Sequence, residues 1–294
     1  MTDKTPIQEV LDLLDLEKIE ENIYRGISPK DRMQRVFGGQ VLGQALMAAG
    51  RTVEGRICHS LHAYFLRAGD PKVPILYEVD RSRDGASFTS RRVVAIQHGR
   101  PIFTLETSFQ VKEPGYEHAF DMPDVPDPDT LPTEDHWRAK AVDKLPEEAR
   151  AWVMRPRPIE TRPVDPRDYF APAKRPPHEM LWIRATGALP DDLSLHQCLL
   201  AYASDMSLLD TGLLPHGIGW FDNKVQMASL DHAMWFHRPF RVDQWLLYVQ
   251  DSPSASGARS FNRGMLYTKA GQLVASVAQE GLMRPRDDRA KKIN

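Results

Sequence analysis

The chain carries one pattern twice, and a duplicated pattern restricts the fold more than any single motif in it. The stretch SLHAYFLRAGDPKVPILYEVDRSRDGASFTSRR, beginning at Ser60, lies over SLDHAMWFHRPFRVDQWLLYVQDSPSASGARSFNR, beginning at Ser229. His62 falls on His232, and the pairs Leu76/Leu246 and Val79/Val249 follow without a gap. Two inserted residues then bring Arg91 onto Arg263 and Gly99 onto Gly271. After each glycine comes an alternating run, PIFTLETSFQ in one half and QLVASVAQE in the other. A self-match on this scale belongs to a duplicated module rather than to an array of short repeats.

Within each half a short strand (22–27; 180–186) precedes a helical segment. In the first half that segment is Gly38-Gly39-Gln40 followed by VLGQALMAAGRTV, with Val41, Leu42, Ala45, Leu46 and Ala49 on one side. β-rich runs follow, separated by turns such as Arg83-Asp84-Gly85 and Ser256-Gly257. A helix followed by consecutive strands, with no second helix between them, predicts an antiparallel sheet covering one helix, an α+β module present twice. The small residues Gly43, Ala45, Ala48 and Ala49 are expected to let the sheet curl closely around that helix.

Thirteen of the 23 prolines fall between Pro114 and Pro177. So dense a run predicts a long surface connection rather than core helix or central strand, interrupted by a helix over about 133–154. The expected division is therefore an N-terminal module over 1–113, a proline-rich connection over 114–178, and a C-terminal module over 179–294. Ahead of the first module, Thr5 caps a helix with Pro6 at its first position and Gln8 three residues after the cap. Ile7, Val10, Leu11 and Leu14 fall on one face of it.

Charge removes one class of partner. With 38 basic and 40 acidic residues the net charge is -2, so no nucleic-acid partner is expected. Cys58 and Cys198 are the only cysteines and form no CxxC, which predicts buried thiols in a reducing compartment rather than a disulfide or zinc site. Acidic residues interrupt the apolar runs of the N-terminus, no run of about 18 apolar residues occurs, and the final Lys-Lys-Ile-Asn lacks a peroxisomal Ser-Lys-Leu address. No membrane insertion and a cytoplasmic location are the expectations.

Chemistry concentrates in QMASLDHAMWFHRPF, residues 226–240, where Ser229, Asp231, His232 and His237 sit among apolar neighbours. A serine hydrolase built on Ser229 and a histidine is one reading. Against it, no G-x-S-x-G elbow occurs, and Ser229 lies in strand-like text rather than at a strand-to-helix turn. His232 and His237 lack further ligands at metal spacing, so they and Asp231 read as hydrogen-bonded scaffold, and no metal site is expected. Trp235, Phe236 and Trp245 read as core and as the wall of an apolar site. Arg81, Arg83, Arg91 and Arg92, around the Asp84-Gly85 turn, read equally as phosphate contacts and as a solvated face. Gly38-Gly39 lacks the third glycine and the Lys-Ser/Thr of a phosphate loop, but a helix start there, with Gln40 beside it, offers free N–H groups to a developing oxyanion.

Six motifs in order, FGGQVLGQAL, LHAYFLRAGD, AYASDMSLL, SLDHAMWFHRPF, RVDQWLLYVQDSPSASGARS and AQEGLMR, resemble the acyl-CoA thioesterase II family over roughly residues 8–286. The resemblance implies a double hotdog, two fused modules whose sheets join side by side. It implies hydrolysis of fatty acyl-CoA to free acid and CoA with no cofactor. It also implies that Asp205, Ser229 and Gln279 hold a water molecule between them, serine standing where threonine is commoner. The chemistry is consistent: a thioester carbonyl is attacked readily, so a base for water and dipoles for the oxyanion suffice. Asp205 is the base if burial among Tyr202, Ala203, Met206, Leu208 and Leu209 raises its pKa, and Ser229 and Gln279 position the water without titrating. Gly38, Gly39, Gln40, Arg91 and Arg92 are the expected oxyanion and substrate contacts, acyl-CoA the expected partner, and a homodimer or homotetramer the expected assembly. Two alternatives remain open: a serine hydrolase using Ser229, and a hotdog protein that binds acyl-CoA without turning it over. A hydratase of that superfamily would need an Asp/His pair that is not found.

Overall fold

Thr5 opens helix α1 (Pro6–Leu14) as the spacing predicts: its hydroxyl accepts from the Gln8 N–H at 3.4 Å, and Ile7, Val10, Leu13 and Leu14 turn inward. The computed structural model describes residues 4–29, 35–144, 147–168, 172–219 and 224–286. The first module continues with β1 (Glu17–Glu20), β2 (Ile23–Gly26), α2 (Gly38–Gly50), β3 (Ile57–Phe65), β4 (Ile75–Asp84), β5 (Phe88–Gln97) and β6 (Arg100–Gln110). The connection holds α3 (Glu134–Ala141), α4 (Glu147–Met154) and β7 (Ile159–Pro163). The second module is β8 (His178–Ala185), α5 (Leu193–Ser204), a 3-10 stretch over Leu208–His216, β9 (Val225–Ser229), β10 (Asp231–Phe236), β11 (Leu246–Ser256), β12 (Arg259–Thr268) and β13 (Leu273–Pro285).

All these strands join one sheet of 13 strands, in the order β1-β2-β4-β5-β6-β3-β10-β13-β12-β11-β8-β7, with β9 added on β13. Read outward from its centre, the sheet gives β3-β6-β5-β4-β2 on one side and β10-β13-β12-β11-β8 on the other. The halves are joined where β3 pairs β10 antiparallel, with His62 opposite Ala233 and Ala63 opposite His232. Those two pairs exchange under the self-match, so an approximate two-fold axis passes between the two strands. Gly99 and Gly271, matched in the sequence, both take positive φ, +68° and +86°, at the turns into β6 and β13. Only glycine enters that region freely, which is why the turn glycine recurs. This is the double hotdog that the sequence resemblance implies.

Each sheet half wraps a helix, and the two helices also pack on each other. A Cβ built at Gly39 would overlap the carbonyl oxygen of Tyr202 in α5, and one at Gly43 would stand 3.0 Å from the carbonyl of Cys198. Gly43 therefore serves the helix–helix crossing and not, as expected, the curl of the sheet; Ala45, Ala48 and Ala49 are buried in the core. Because a helix backbone cannot yield as a side chain does, Gly39→Ala is expected to lower stability by about 1–2 kcal/mol in chemical unfolding, overpacking outweighing the better helix propensity of alanine. Gly50→Ala, where an added Cβ meets nothing within 4 Å, is the control and should be neutral or stabilising.

The connection is more structured than its prolines predict. The single expected helix is two, α3 and α4, with a 3-10 turn over Val142–Lys144 following the first. β7 lies inside the connection and pairs with β8 at the sheet's edge, ending at Pro163. An edge strand tolerates proline because one side of its backbone needs no ladder partner. Earlier in the connection, Met122, Val125 and Leu131 cover a second cluster of Trp182, Trp245, Leu247, Tyr267 and Leu273. No helix among the described residues is long and apolar enough to cross a membrane.

Candidate active site

Asp205 is the C-cap of α5. A carboxylate is poorly suited to that end, where the helix macrodipole is already negative, so local helix stability does not explain its presence. Two side chains from other elements converge on it. Ser229, the last residue of β9, donates from Oγ to Asp205 Oδ1 at 3.1 Å, and Gln279 on β13 donates from Nε2 to the same oxygen at 2.6 Å. Oδ2 faces the start of α2, where a Cβ on Gly38 would come within 2.7 Å of it. Glycine at position 38 is thus what leaves room for the carboxylate. Gln279 is fully buried, and its Oε1 has no hydrogen-bond partner among the described residues.

Burial pushes the Asp205 carboxyl up to about 6 from an ordinary 3.8. Desolvation is the largest cause, opposed by the hydrogen bonds from Gln279 and Ser229, the Gly39 amide and the Arg35 guanidinium. A base with this pKa is matched to neutral pH far better than an exposed aspartate.

Behind Asp205 the end of α5 is held by buried groups. Tyr248 donates from its hydroxyl to the Ser204 carbonyl at 3.0 Å, and Ser204 Oγ lies 3.0 Å from His232 Nε2 while donating to the Ala201 carbonyl. With the serine proton spent on Ala201, His232 donates from Nε2, leaving Nδ1 as an acceptor with no partner among the described residues rather than an orphaned N–H. Burial keeps this imidazole neutral, its pKa lowered to about 3. Neither histidine of the stretch bonds to Ser229: His237 Nε2 is 2.8 Å from Ser276 Oγ. Asp231 accepts from the Glu280 N–H at 2.7 Å, a scaffold bond as expected.

Asp205 and Ser229 open onto a cavity of about 650 Å³. Gly38 and Gln40 line it, with an apolar wall that includes Phe37, Phe65, Phe103, Met206, Leu209 and Met227. Gln40 reaches the cavity with its amide already engaged, Nε2 donating to Ser28 Oγ at 2.9 Å and to the Ile27 carbonyl at 3.1 Å. It braces Ile27 and Ser28, just after β2. Among the described residues no group of His, Cys, Asp and Glu is placed to hold a metal ion, and Cys58 and Cys198 are buried and unbridged.

Two sets of expected contacts lie elsewhere. Arg91 is buried, donating to the Thr52 hydroxyl at 2.8 Å and carbonyl at 3.2 Å and pairing with Asp84 at 2.6 Å. It braces the β4–β5 turn from inside. Arg92, on the opposite face of β5, is exposed and pairs with Glu106 at 3.5 Å. Neither lines the cavity, and Arg81 and Arg83 do not line it either. Of the three expected aromatics, Phe236 and Trp245 are core as expected but none lines the cavity: strand alternation turns Phe236 inward beside Phe240 and Trp235 outward against His62. Trp245 is held between the Arg162 and Arg184 guanidiniums. The arginines that do line the cavity, Arg35, Arg67, Arg138, Arg155 and Arg157, went unnoticed in the sequence, three of them in the proline-rich text.

Two family models match the chain, one described as acyl-CoA thioesterase over residues 151–282 and one as the acyl-CoA thioesterase N-terminal domain over residues 28–110. Human acyl-coenzyme A thioesterase 8 is 42% identical over 284 residues, covering 94% of this chain and 88% of its own. Among solved structures, an acyl-CoA thioesterase II from Mycobacterium marinum is 44% identical with a TM-score of 0.78, covering 95% of this chain and 99% of its own. A protein from Alicyclobacillus acidocaldarius described as having a hot dog fold shares the architecture at 18% identity, with a TM-score of 0.74 and coverage of 95% and 99%.

Proposed function

This chain belongs to the acyl-CoA thioesterase family, and on that premise we propose that it hydrolyses fatty acyl-CoA with Asp205 as general base. One observation carries the reading: Ser229 and Gln279 both donate to Oδ1 of a half-buried, pKa-raised carboxylate, leaving Oδ2 toward the cavity-lining start of α2. A water hydrogen-bonded to Asp205 and oriented by the Ser229 hydroxyl and the Gln279 amide attacks the thioester carbonyl as Asp205 takes its proton. Gln279 Oε1, an acceptor with no other partner among the described residues, is suited to that water. The oxyanion is met at the start of α2, where the helix dipole is positive. Collapse breaks the C–S bond, and the proton held by Asp205 passes to the departing CoA thiolate. The acyl chain lies along the apolar wall.

The test is CoA release from a series of acyl-CoA chain lengths, followed across pH. The base must be ionised, so kcat/KM should fall by about tenfold per pH unit as pH drops below about 6 and level off above it. An acid limb near 4 would mean that Asp205 is not the titrating base. An acyl adduct on Ser229 in a mass spectrum would overturn water as the nucleophile.

A further inference from the structure

Helix α1 has two faces with different neighbours. Ile7, Val10 and Leu14 turn into the main hydrophobic core. Pro6, Glu9, Val10 and Leu13, spaced i, i+3, i+4 and i+7, form a second stripe, and it lines the cavity onto which Asp205 and Ser229 open. Leu13 is 9% exposed, and Val153 of α4, which lines the same cavity, is 3% exposed; among the described residues neither joins a hydrophobic cluster. These are apolar side chains shielded from solvent at a cavity wall instead of in a core. Burial also gives the cavity a direction. Leu66, Arg67 and Ala68, just after β3, are exposed where they line it, whereas Val10, Leu13, Val41 and Val153 are buried. The first set marks the mouth and the second the inner end. The charged groups that also line the cavity beside α1 and α4 are engaged: Glu134 pairs with Arg138 at 3.0 Å, and Glu9, Arg155 and Arg157 each have interactions of their own. What the inner end offers a ligand is apolar surface.

We propose that α1 measures the acyl chain: Leu13, with Val10 beside it and Val153 from the connection, stops the methyl end and sets the longest chain accepted. The inference rests on the thioesterase reading and deepens it. The stop is held in place through the backbone. The Leu13 carbonyl accepts from Gln44 Nε2 at 2.7 Å, and Gln44 Oε1 accepts from the buried Tyr77 hydroxyl at 2.7 Å, so α1 is tied to α2 whatever side chain stands at position 13. A chain growing toward such a wall gains about fourfold in affinity for each methylene buried, and nothing once the wall is reached. Neither hotdog module contains this stop. The segment before the first module and the connection between the two supply it.

The experiment is kcat/KM for a ladder of esters from butanoyl-CoA to octadecanoyl-CoA, hydrolysed by wild type, Leu13→Trp, Val153→Phe, Leu13→Ala and Leu11→Ala. Leu13→Trp and Val153→Phe are expected to lower kcat/KM for the longest esters that wild type accepts at least about tenfold more than for butanoyl-CoA, so that the profile breaks at a shorter chain. Leu13→Ala, which cannot clash, should move the break to longer chains. Leu11 packs on the core and does not line the cavity, so Leu11→Ala loosens α1 and should leave the break where it is. Equal losses at every length in all the Leu13 and Val153 variants would mean that these residues only hold the fold together. A break that stays put in Leu13→Trp and in Leu13→Ala would mean that the chain ends elsewhere. Either result overturns the stop while the thioesterase reading stands. Displacement of a fluorescent fatty acid by free fatty acids of the same lengths reads the stop without turnover. Should wild type cleave no ester, the thioesterase reading falls; a displacement limit that shortens in Leu13→Trp then keeps the stop, and one that does not shorten overturns it too.

Discussion

Asp205→Asn is expected to yield a folded, more stable protein whose kcat falls at least about a hundredfold, the lower end of what a well-placed general base contributes. Asparagine keeps an oxygen to accept from Ser229 and Gln279, so the geometry has little reason to change. It cannot take a proton from water. The stability gain follows from the sign of the pKa shift. A carboxyl raised from 3.8 to about 6 on folding binds its proton more tightly in the folded state, so its contribution is fully present below pH 3.8 and lost as pH rises through about 6. At pH 7 the charged, buried group is a cost that asparagine removes. The full shift corresponds to ~3 kcal/mol, but Asp205 keeps intermediate exposure where it lines the cavity, and solvent there screens part of it. A gain of about 1–2 kcal/mol at pH 7, vanishing near pH 4, is the expectation in thermal or chemical unfolding. A variant that is inactive because it is unfolded would say nothing about a base.

The second large effect is expected at Gln279. Gln279→Met keeps the length of the side chain in its fully buried site and removes the amide, both the donor to Asp205 and the acceptor offered to water. Loss of one such preorganised dipole costs about a hundredfold in kcat. The amide also acts on the base itself, since its hydrogen bond is the largest influence holding the Asp205 pKa down. Removing it should move the acid limb of the pH profile above about 6. That displacement separates a group touching Asp205 from one that merely fills space, because a packing defect would lower the rate without moving the limb.

The fold was legible because it is periodic. Alternating runs, turn glycines and the repeat of His62 at His232 can be read from sequence without knowing what packs on what. The site was legible only through the family resemblance. Ser229 and Gln279 stand 24 and 74 residues from Asp205, and no spacing rule joins a helix C-cap to the end of one strand and the middle of another. Arg91 misled because alternation along β5 puts it on the buried face with Thr89 and Val93, where its long side chain reaches Thr52 and the turn rather than solvent. The connection misled for the opposite reason. Its prolines suppress any periodic signal, so nothing marked Arg155 and Arg157 as cavity residues.

The two-fold relation between β3 and β10 has a consequence for what this chain was free to become. In an assembly of two identical modules, every substitution is made twice, and a residue that suits one site must be tolerated at its mirror position. Fusion lifts that constraint. After α5 stands Asp205; after α2 stands Arg51, which donates to Asp15 and to the Leu16 carbonyl. Gln279 corresponds to Thr107, which sits against the Cys58 thiol. One half keeps the acid and the amide, and the other contributes the glycines at the start of its helix and is released from the rest. Held in one chain, two halves of one fold carry different residues at matched positions, and each does its own part.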